Sequence, residues 1–579
     1  MHLRLQKKSD GRVYASIVRS YRQDGKPRSK TYKTLGYLDP SRADYDERIE
    51  EYRSLADVME AEYLAENAPV TLEFSRHKKV DMRSVNRKNI GHAVLSDKYY
   101  FLEIDRFWAA RSKHRDFAYD PNSIFRLLVN ERCLNPGSKK SDYENKDHYF
   151  DKSDFSRQDL YRSLDFFAGY KDDLISRVNK HIAERYKRNT REVYYDTTNY
   201  YFEIDEDDLD VVDEASGAII EKGMRKRGVS KEHRKCPIIS MGLLMDSDGI
   251  PIHYELYPGN TNDCLTAMPV LKKVRKEYDL GRIVMVADKG INSSDNIASC
   301  VVDGNGYVFS QSVKKSDKDL KNWVLSDKGY ALSKDFKCKS KQGNKTIYIT
   351  DAEGKDTQVI VPVKYVAFWS ADYDKRAKMQ RARILEKAAK LTSNASSYEH
   401  AKSYGAARYV KETTMAPETG EVCKTLIELD EDLVSEDEKY DGYYLIITSE
   451  TDKTDAEIID IYRGLWRIEE SFKVTKSHLD TRPVYVWKNP HIEAHFLVCY
   501  IALVIIRLIQ VDLEYKYSAG KILDELSSLQ CSHLKDNIWH FDYRTAVTDE
   551  LCANANITLN REIMTLKEIK TELAKTRKH

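Results

Sequence analysis

Arg282–Gly290 reads RIVMVADKG, and its centre, Ile283–Ala287, is an unbroken apolar run that stops at Asp288. A strand with one wet face alternates apolar and polar residues. A run that is apolar throughout belongs to a strand covered on both faces. At least part of the chain is thereby constrained to a sheet with helices on either side, an α/β architecture. Sites in such sheets are built beyond the carboxyl ends of strands, where Asp288 falls. Glu192–Glu203, EVYYDTTNYYFE, offers a second such end: the β-prone run Val193-Tyr194-Tyr195 meets Asp196 and then Thr197-Thr198-Asn199. Taken alone, each aspartate reads more simply as the cap of a turn or of the next helix.

Ile461–Lys476, IYRGLWRIEESFKVTK, adds a third acid. Ile458, Ile461, Leu465, Ile468 and Phe472 make an apolar stripe, while Tyr462, Glu469 and Lys476 recur every seven residues, two helical turns apart. The spacing predicts one helix that buries its stripe and presents a carboxylate flanked by a ring and an ammonium. Charges opposite an apolar stripe are ordinarily solvated surface; the two strand-end aspartates change that reading. Three converging carboxylates without Cys or His suit a hard divalent ion such as Mg2+, which keeps waters and takes few carboxylates plus substrate phosphates. Two such ions roughly 3.5–4 Å apart can activate an attacking oxygen and stabilise the leaving one at phosphorus. The expected chemistry is phosphodiester cleavage or transfer.

As a set, YYDTTNYYFE, GVSKEHRK, LYPGNTND, VADKGINSSDNI, YRGLWRIEESFKVTK and HIEAHFLVCYIALVI resemble the motifs of bacterial insertion-sequence transposases of the DDE type. The resemblance runs from the N-terminal hairpin to the helix after Trp487. It implies an RNase H-like catalytic core, a mixed sheet flanked by helices, with a β-rich insertion domain and a mostly helical N-terminal region. It also implies that Asp196, Asp288 and Glu469 are the catalytic, metal-binding acids for two Mg2+ or Mn2+ ions. Tyr462, Glu469 and Lys476 match a Tyr-Arg-Glu-Lys signature whose arginine is missing, because Leu465 of the apolar stripe stands there. Arg463 or Arg467 is expected to supply that phosphate contact, with Tyr462, Trp466, Lys473 and Lys476 also beside the DNA.

Charge supports a polyanionic partner only locally. Charged residues are 32% of 579, yet the formal net charge is +1, so cations that meet DNA must be segregated. Glu221–Lys235, EKGMRKRGVSKEHRK, is one such run, and Arg227, Lys231, His233 and Arg234 are expected DNA contacts; a solvated loop is the plainer alternative. Nine cysteines without a CxxC pair argue against a zinc ribbon or disulfide framework and suit a reducing cytoplasm. His491 and His495 lack a third ligand of zinc spacing and read as packed or hydrogen-bonded. The N-terminus lacks the apolar core of a signal peptide, and Phe496–Ile506 is too short to span a bilayer, so a buried helix is expected.

The chain divides into an N-terminal β-hairpin and helical DNA-binding region (1–85), a helical DNA-binding domain (86–189), the first part of the core (190–311), the β-rich insertion (312–440), the second part of the core (441–512) and a helical C-terminal region (513–579) for dimerisation or DNA binding. The hairpin joins Tyr14–Tyr21 to Arg28–Leu35 through Asp24-Gly25-Lys26-Pro27. An insertion is required because 180 residues separate Asp288 from Glu469, too many for a simple crossover. Its basic helix is expected over Asp374–Leu391, and Trp369 and Trp323 are its candidates for stacking on bases, although a packed Trp is the simpler reading of each. The core resumes at the strand Tyr443–Thr448, and Thr454-Asp455-Ala456-Glu457 spells a capping box before the Glu469 helix.

The expected function is cut-and-paste DNA transposition, with terminal inverted repeats and target DNA as partners. The resemblance further implies a homodimer on DNA, no membrane association, and a cytoplasmic, nucleoid-associated location. Two rivals stay open: an RNase H-like nuclease that cuts without joining, and a non-catalytic DNA-binding regulator, against which the intact acid triad speaks.

Overall fold

Alternation in the first 38 residues produces an antiparallel meander, His2–Lys7, Val13–Gln23 and Lys26–Leu38, with the second strand in the middle. The computed structural model describes residues 1–23, 26–66, 71–77, 79–82, 84–151, 153–213, 215–230, 234–278, 280–333, 335–350, 355–392, 405–415 and 424–578. Two units are distinct, Met1–Ser84 and Val85–His579. In the first, Val13, Ala15 and Leu38 are buried against Tyr45, Ile49 and Tyr52 of the helix Tyr45–Glu66. Of the expected turn, Asp24 and Gly25 lie outside the described residues, while Lys26 and Pro27 already belong to the third strand.

A nine-stranded sheet organises the second unit. Its strands are β1 (Glu192–Tyr201), β2 (Ile238–Met245), β3 (Pro251–Pro258), β4 (Val284–Ala287), β5 (Gly306–Gln311), β6 (Ala331–Ser333), β7 (Phe336–Thr350), β8 (Asp356–Ser370) and β9 (Tyr443–Thr448). Their order in space is β6-β7-β8-β9-β5-β4-β1-β2-β3. β1, β2 and β3 are antiparallel neighbours, β4 runs parallel to both β1 and β5, and β9 is antiparallel to β5. Strands β6–β8 of the expected insertion are hydrogen-bonded into this same sheet through β9. Its basic helix, Ala371–Thr392, and a two-stranded sheet, Val410–Met415 with Lys424–Leu429, lie outside it.

The apolar run in β4 is explained by burial on both faces. Tyr194, Tyr200, Val284, Val286, Val308 and Ile446 belong to one core, and Val193, Tyr195, Met285, Ala287, Tyr307, Phe309 and Ile447 to another. Helices α1 (Ala267–Glu277) and α2 (Ser294–Val302) cover the second face. Helices α3 (Asp455–Arg463), α4 (Trp466–Lys473) and α5 (Asn489–Asp512) contribute to the first. By length and composition α5 could cross a membrane, but 94% of its apolar window is buried inside the protein. It packs against the helices Pro121–Leu134 and Arg157–Ala168, which come from the expected helical region.

The expectation of a wholly helical tail is corrected. Helices Ala519–Ser528, Ala546–Asn554 and Leu566–Lys575 alternate with strands Gln530–Lys535, Ile538–Phe541 and Ile563–Thr565, which form a sheet with Arg87–Asn89. Trp539 and Phe541 are buried while Ile538 and His540 between them are half-buried. This period of two is the strand signal, set among charged residues that read as helix.

Candidate active site

The register of the central strands brings the two aspartates together. Ala287 at the end of β4 pairs with Tyr195 of β1 on one side and Phe309 of β5 on the other, both in parallel. One residue further, Asp288, Asp196 and Ser310 share a level. Side chains at one level of a parallel sheet point to the same face, here that of Tyr194, Val286 and Val308. Adjacent strands stand about 4.8 Å apart, so the two aspartate backbones are separated by one strand spacing. The strand-end expectation is corrected for Asp196: β1 continues to Tyr201, with Asp196 opposite Leu243 of β2. What ends beside it is the parallel pairing with β4.

Neighbouring groups orient both carboxylates. Ser310 Oγ donates to Asp288 Oδ1 at 2.5 Å, and Tyr462 Oη donates to the same oxygen at 3.4 Å. Asp196 Oδ1 accepts from the backbone N–H of Thr197 at 2.8 Å. Asp288 is exposed and Asp196 half-buried.

Glu469 arrives on a helix that is not continuous. The capping box forms as expected, Thr454 with Glu457. α3 then ends at Gly464, α4 starts at Trp466, and a π-helical turn, Val474–His478, comes next. Gly464 leaves room for Tyr194: a Cβ there would overlap Tyr194 Oη and lie 2.5 Å from its Cζ. Tyr194 Oη uses that space to donate to the carbonyl of Ile461 at 3.1 Å. At the other end Tyr200 Oη meets Thr475 Oγ1 at 2.8 Å. Six residues of strand span about 20 Å and fourteen of helix about 21 Å, so the helical segment runs the length of β1 between two matched pins. Glu469 lies between them, as Asp196 does on the strand.

Tyr444 marks a meeting point. It lies on the same face as Ile446, the partner of Ser310. Its phenol is pushed up by burial first, then by Tyr373 and the charge of Asp288; Glu469 acts in the same direction and Arg376 against it. Burial likewise raises the Tyr462 phenol, with Asp288 adding to the effect. Both tyrosines are therefore uncharged hydrogen-bond donors at neutral pH. Among the described residues no three His, Cys, Asp or Glu side chains are gathered closely enough to hold a metal ion. The structure thus sets Asp196 beside Asp288 and Glu469 along the same strand, without drawing the third carboxylate in to the pair.

The remaining expected residues are scattered in role. Leu465 is buried, as its place in the stripe predicts. Arg463 lies over the Phe336 ring at 5.2 Å and 3.8 Å from Asp460. Arg467 packs against Gly249 in the β2–β3 turn and stands 5.3 Å from the ring of Trp466, which is half-exposed. Lys473 is exposed, and Lys476 stands 5.7 Å from the Tyr200 ring. Arg227 is engaged by Asp207 and by the carbonyl of Lys235 at 3.0 Å, while Arg234 lies 4.0 Å over Tyr201. Lys231 and His233 lie outside the described residues. Trp369 Nε1 donates to the Asp441 carbonyl at 3.1 Å, and Trp323 is half-buried under Lys339 and Lys341. His491 faces Asp165 at 3.4 Å, and buried His495 faces the Thr481 carbonyl at 3.1 Å.

Sequence reasoning missed Ser310 and Tyr444. The signal for Ser310 was present: in Gly306–Ser310 an apolar run meets its first polar residue, as it does at Asp288. Nothing local distinguishes Tyr444 from the other 38 tyrosines, since its role depends on the pairing of β9 with β5.

Residues 203–505 match the transposase DDE domain, a span that takes in Asp288 and Glu469 and begins just after Asp196. The chain belongs to the insertion-sequence DDE transposases, and its function is DNA transposition. Residues 3–69 match the N-terminal domain of IS1634 family transposases. Among solved structures the chain is similar to a piggyBac transposase synaptic complex with hairpin DNA, at 8% identity and a TM-score of 0.34 over 84% of this chain and 85% of that one. It is also similar to the Mos1 transposase paired-end complex with the left transposon end, at 12% identity and a TM-score of 0.13 over 45% of this chain and 71% of that one. No curated protein matches the chain. DDE transposases are divalent-metal dependent.

Proposed function

We propose that Asp196, Asp288 and Glu469 are the catalytic acids of a cut-and-paste reaction, in which element ends are cleaved and joined to target DNA. The observation that carries this reading is the shared level of Asp196 and Asp288 on adjacent parallel strands, with Glu469 on a helix pinned along one of them. The strand order β3-β2-β1-β4-β5 and its mixture of directions support an RNase H-like core. The donor set fits two Mg2+ or Mn2+ ions, being carboxylate oxygens only, and the exposure of Asp288 and Glu469 gives a polymeric substrate access. When bound, such ions supply an activated oxygen nucleophile and offset charge at the phosphorus.

The chain's own groups perform the positioning. Ser310 and Tyr462 fix the rotation of the Asp288 carboxylate, and the Tyr194 and Tyr200 pins set the height of Glu469 along β1. Lys473 and Lys476 lie one and two turns beyond Glu469 and offer phosphate contacts, with Trp466 beside them and Arg463, Arg467, Arg227 and Arg234 as further contacts once they leave the side chains and carbonyls they touch here. The helical region 86–189 and residues 513–579, joined through the sheet at Arg87–Asn89, would hold the DNA, and joining two ends favours a homodimer. The test is incubation of purified protein with labelled terminal-repeat DNA and Mg2+, beside Glu469→Gln. Cleavage and joined products with wild type alone are expected. Equal cutting by both proteins would remove Glu469 from the site, and cutting without joined products would make the protein a nuclease.

A further inference from the structure

The N-terminal unit separates its charges sharply. Residues 1–38, which form the meander, hold ten Lys or Arg and two acids, whereas residues 39–66, mostly the helix, hold ten Asp or Glu and three Lys or Arg. Neither half is near neutral, although their sum is. The third strand, Lys26–Leu38, is an edge strand, and Lys26–Thr34 is exposed at every position. It pairs with the second strand as a two-stranded ribbon: Arg19 opposite Lys30, Ser20 opposite Ser29, Tyr21 opposite Arg28, Arg22 opposite Pro27. Alternation puts Arg19, Lys30, Tyr21 and Arg28 on one face and Arg22 with the two serines on the other. At the base of the ribbon the helix packs on the first of these faces: Arg19 lies 3.6 Å from Glu60 and 3.9 Å over the Tyr63 ring, which also meets the ring of Tyr32 at 5.8 Å.

An exposed edge of this length invites pairing with other strands, and its lysines and arginines blunt that hazard. That function does not require cations on both faces, nor an acidic helix behind them. A ribbon seated in a duplex groove uses cations on both faces. The major groove, about 12 Å wide, admits a two-stranded ribbon, and phosphates then border it on both sides. The acidic helix is repelled by the same phosphates, so the charge separation also fixes which way the unit faces.

We infer that the ribbon Arg19–Gln23 with Lys26–Lys30 enters the major groove of duplex DNA, with Arg22, Arg28 and Lys30 as its principal contacts and the helix Tyr45–Glu66 turned outward. The inference rests on the transposition function but not on the catalytic acids. The test measures binding of the full-length protein to an element-end duplex in EDTA, so that no cleavage occurs, over 50 to 200 mM salt. Each phosphate contact contributes about 0.9 to the slope of log affinity against log salt. Arg22→Gln, Arg28→Gln and Lys30→Gln together are expected to lower that slope by about 2.7 and to weaken binding at least about tenfold at low salt. Methylation of guanine N7, in the major groove, should interfere with wild-type binding at positions where it no longer affects the triple variant. Glu50→Gln with Glu51→Gln, on the helix, should leave the interference pattern unchanged. Glu469→Gln should bind as wild type does, which separates this inference from the catalytic reading. An unchanged affinity and slope in the triple variant would overturn the contact. A weakened affinity with no N7 interference specific to wild type would overturn the groove assignment.

Discussion

Gly464→Ala is the substitution whose sign tests the reading of the helical segment. In an ordinary helix, replacing Gly by Ala stabilises by about 0.5–1 kcal/mol, because Ala has less backbone freedom to lose. At Gly464 the added Cβ would overlap Tyr194 Oη and lie 2.5 Å from Cζ and 2.8 Å from Cε1. Tyr194 is itself buried in the core and cannot swing away without leaving its hydrogen bond to Ile461. Overpacking of this kind costs about 1–3 kcal/mol and loss of the bond about 1 kcal/mol. The helix gain offsets part of this, leaving a net destabilisation of about 1–3 kcal/mol. Amide exchange of α3 and α4 reads the local effect directly, and this cost corresponds to roughly 5- to 150-fold faster exchange. DNA cleavage should fall too, because Glu469 is eight residues beyond the displaced pin at Ile461. Tyr194→Phe removes the overlapping oxygen, so the double variant should lose less than the sum of the two single ones, by about 0.5 kcal/mol or more. If Gly464→Ala slowed exchange, intrinsic helix preference would have won and the proposed contact between helix and strand would be refuted.

Ser310→Ala removes the shorter of the two bonds to Asp288 Oδ1 and is expected to lower metal-dependent cleavage by roughly 10- to 100-fold, measured with the labelled terminal-repeat duplex while urea unfolding stays near wild type. Leu465→Arg restores the signature residue but buries a guanidinium, and should be destabilising by several kcal/mol with no gain in cleavage; a more active, equally stable variant would show that the position faces DNA. Glu131 on the helix Pro121–Leu134 is pushed up to about 7 by burial, against hydrogen bonds from Tyr149 and Asn145. Between about pH 4.5 and 7 the folded state keeps this proton and the unfolded state does not, so stability falls as pH rises through that window, by about 3 kcal/mol in all, and levels off above it. Glu131→Gln should flatten that dependence in urea titrations at pH 5, 6, 7 and 8.

The parts of the site that were legible in the sequence are those whose signal is local. An apolar run stopping at Asp288 requires a strand covered on both faces, and an apolar stripe with a capping box requires a helix beginning at Asp455. The level shared by Asp196, Asp288 and Ser310 is not local, because it depends on which strands pair and in what register. The break at Gly464 was illegible for the same reason. The side chain that packs against it is Tyr194, 270 residues earlier in the chain, and a seven-residue repeat carries no information about that. The extension of the sheet by β7 and β8 was hidden in another way. Their alternation announces strands, but it does not say whether they pair in a sheet of their own or with Tyr443–Thr448.

The apolar stripe accounts for the one departure from the expected signature, because Leu465 belongs to it and is buried. The turn tightens at this point: Gly464 N–H is shared between the carbonyls of Asp460 at 3.2 Å and Ile461 at 3.1 Å, and Leu465 N–H donates to that of Tyr462 at 3.1 Å. Residue 465 stays in line with Ile461 and Ile468 and faces the core beneath the helix rather than the mouth of the site. A charge there would have to leave water without a partner, which an apolar side chain avoids. The two adjacent arginines do not replace it simply, since Arg463 is directed at Phe336 of β7 and Arg467 at the turn between β2 and β3. Arg376, from the basic helix inserted between the second and third acids, lies 4.4 Å over the ring of Tyr373, which stands 4.7 Å from that of Tyr444. It can reach there because β8, the strand that leads into that helix, is paired in the core sheet beside β9.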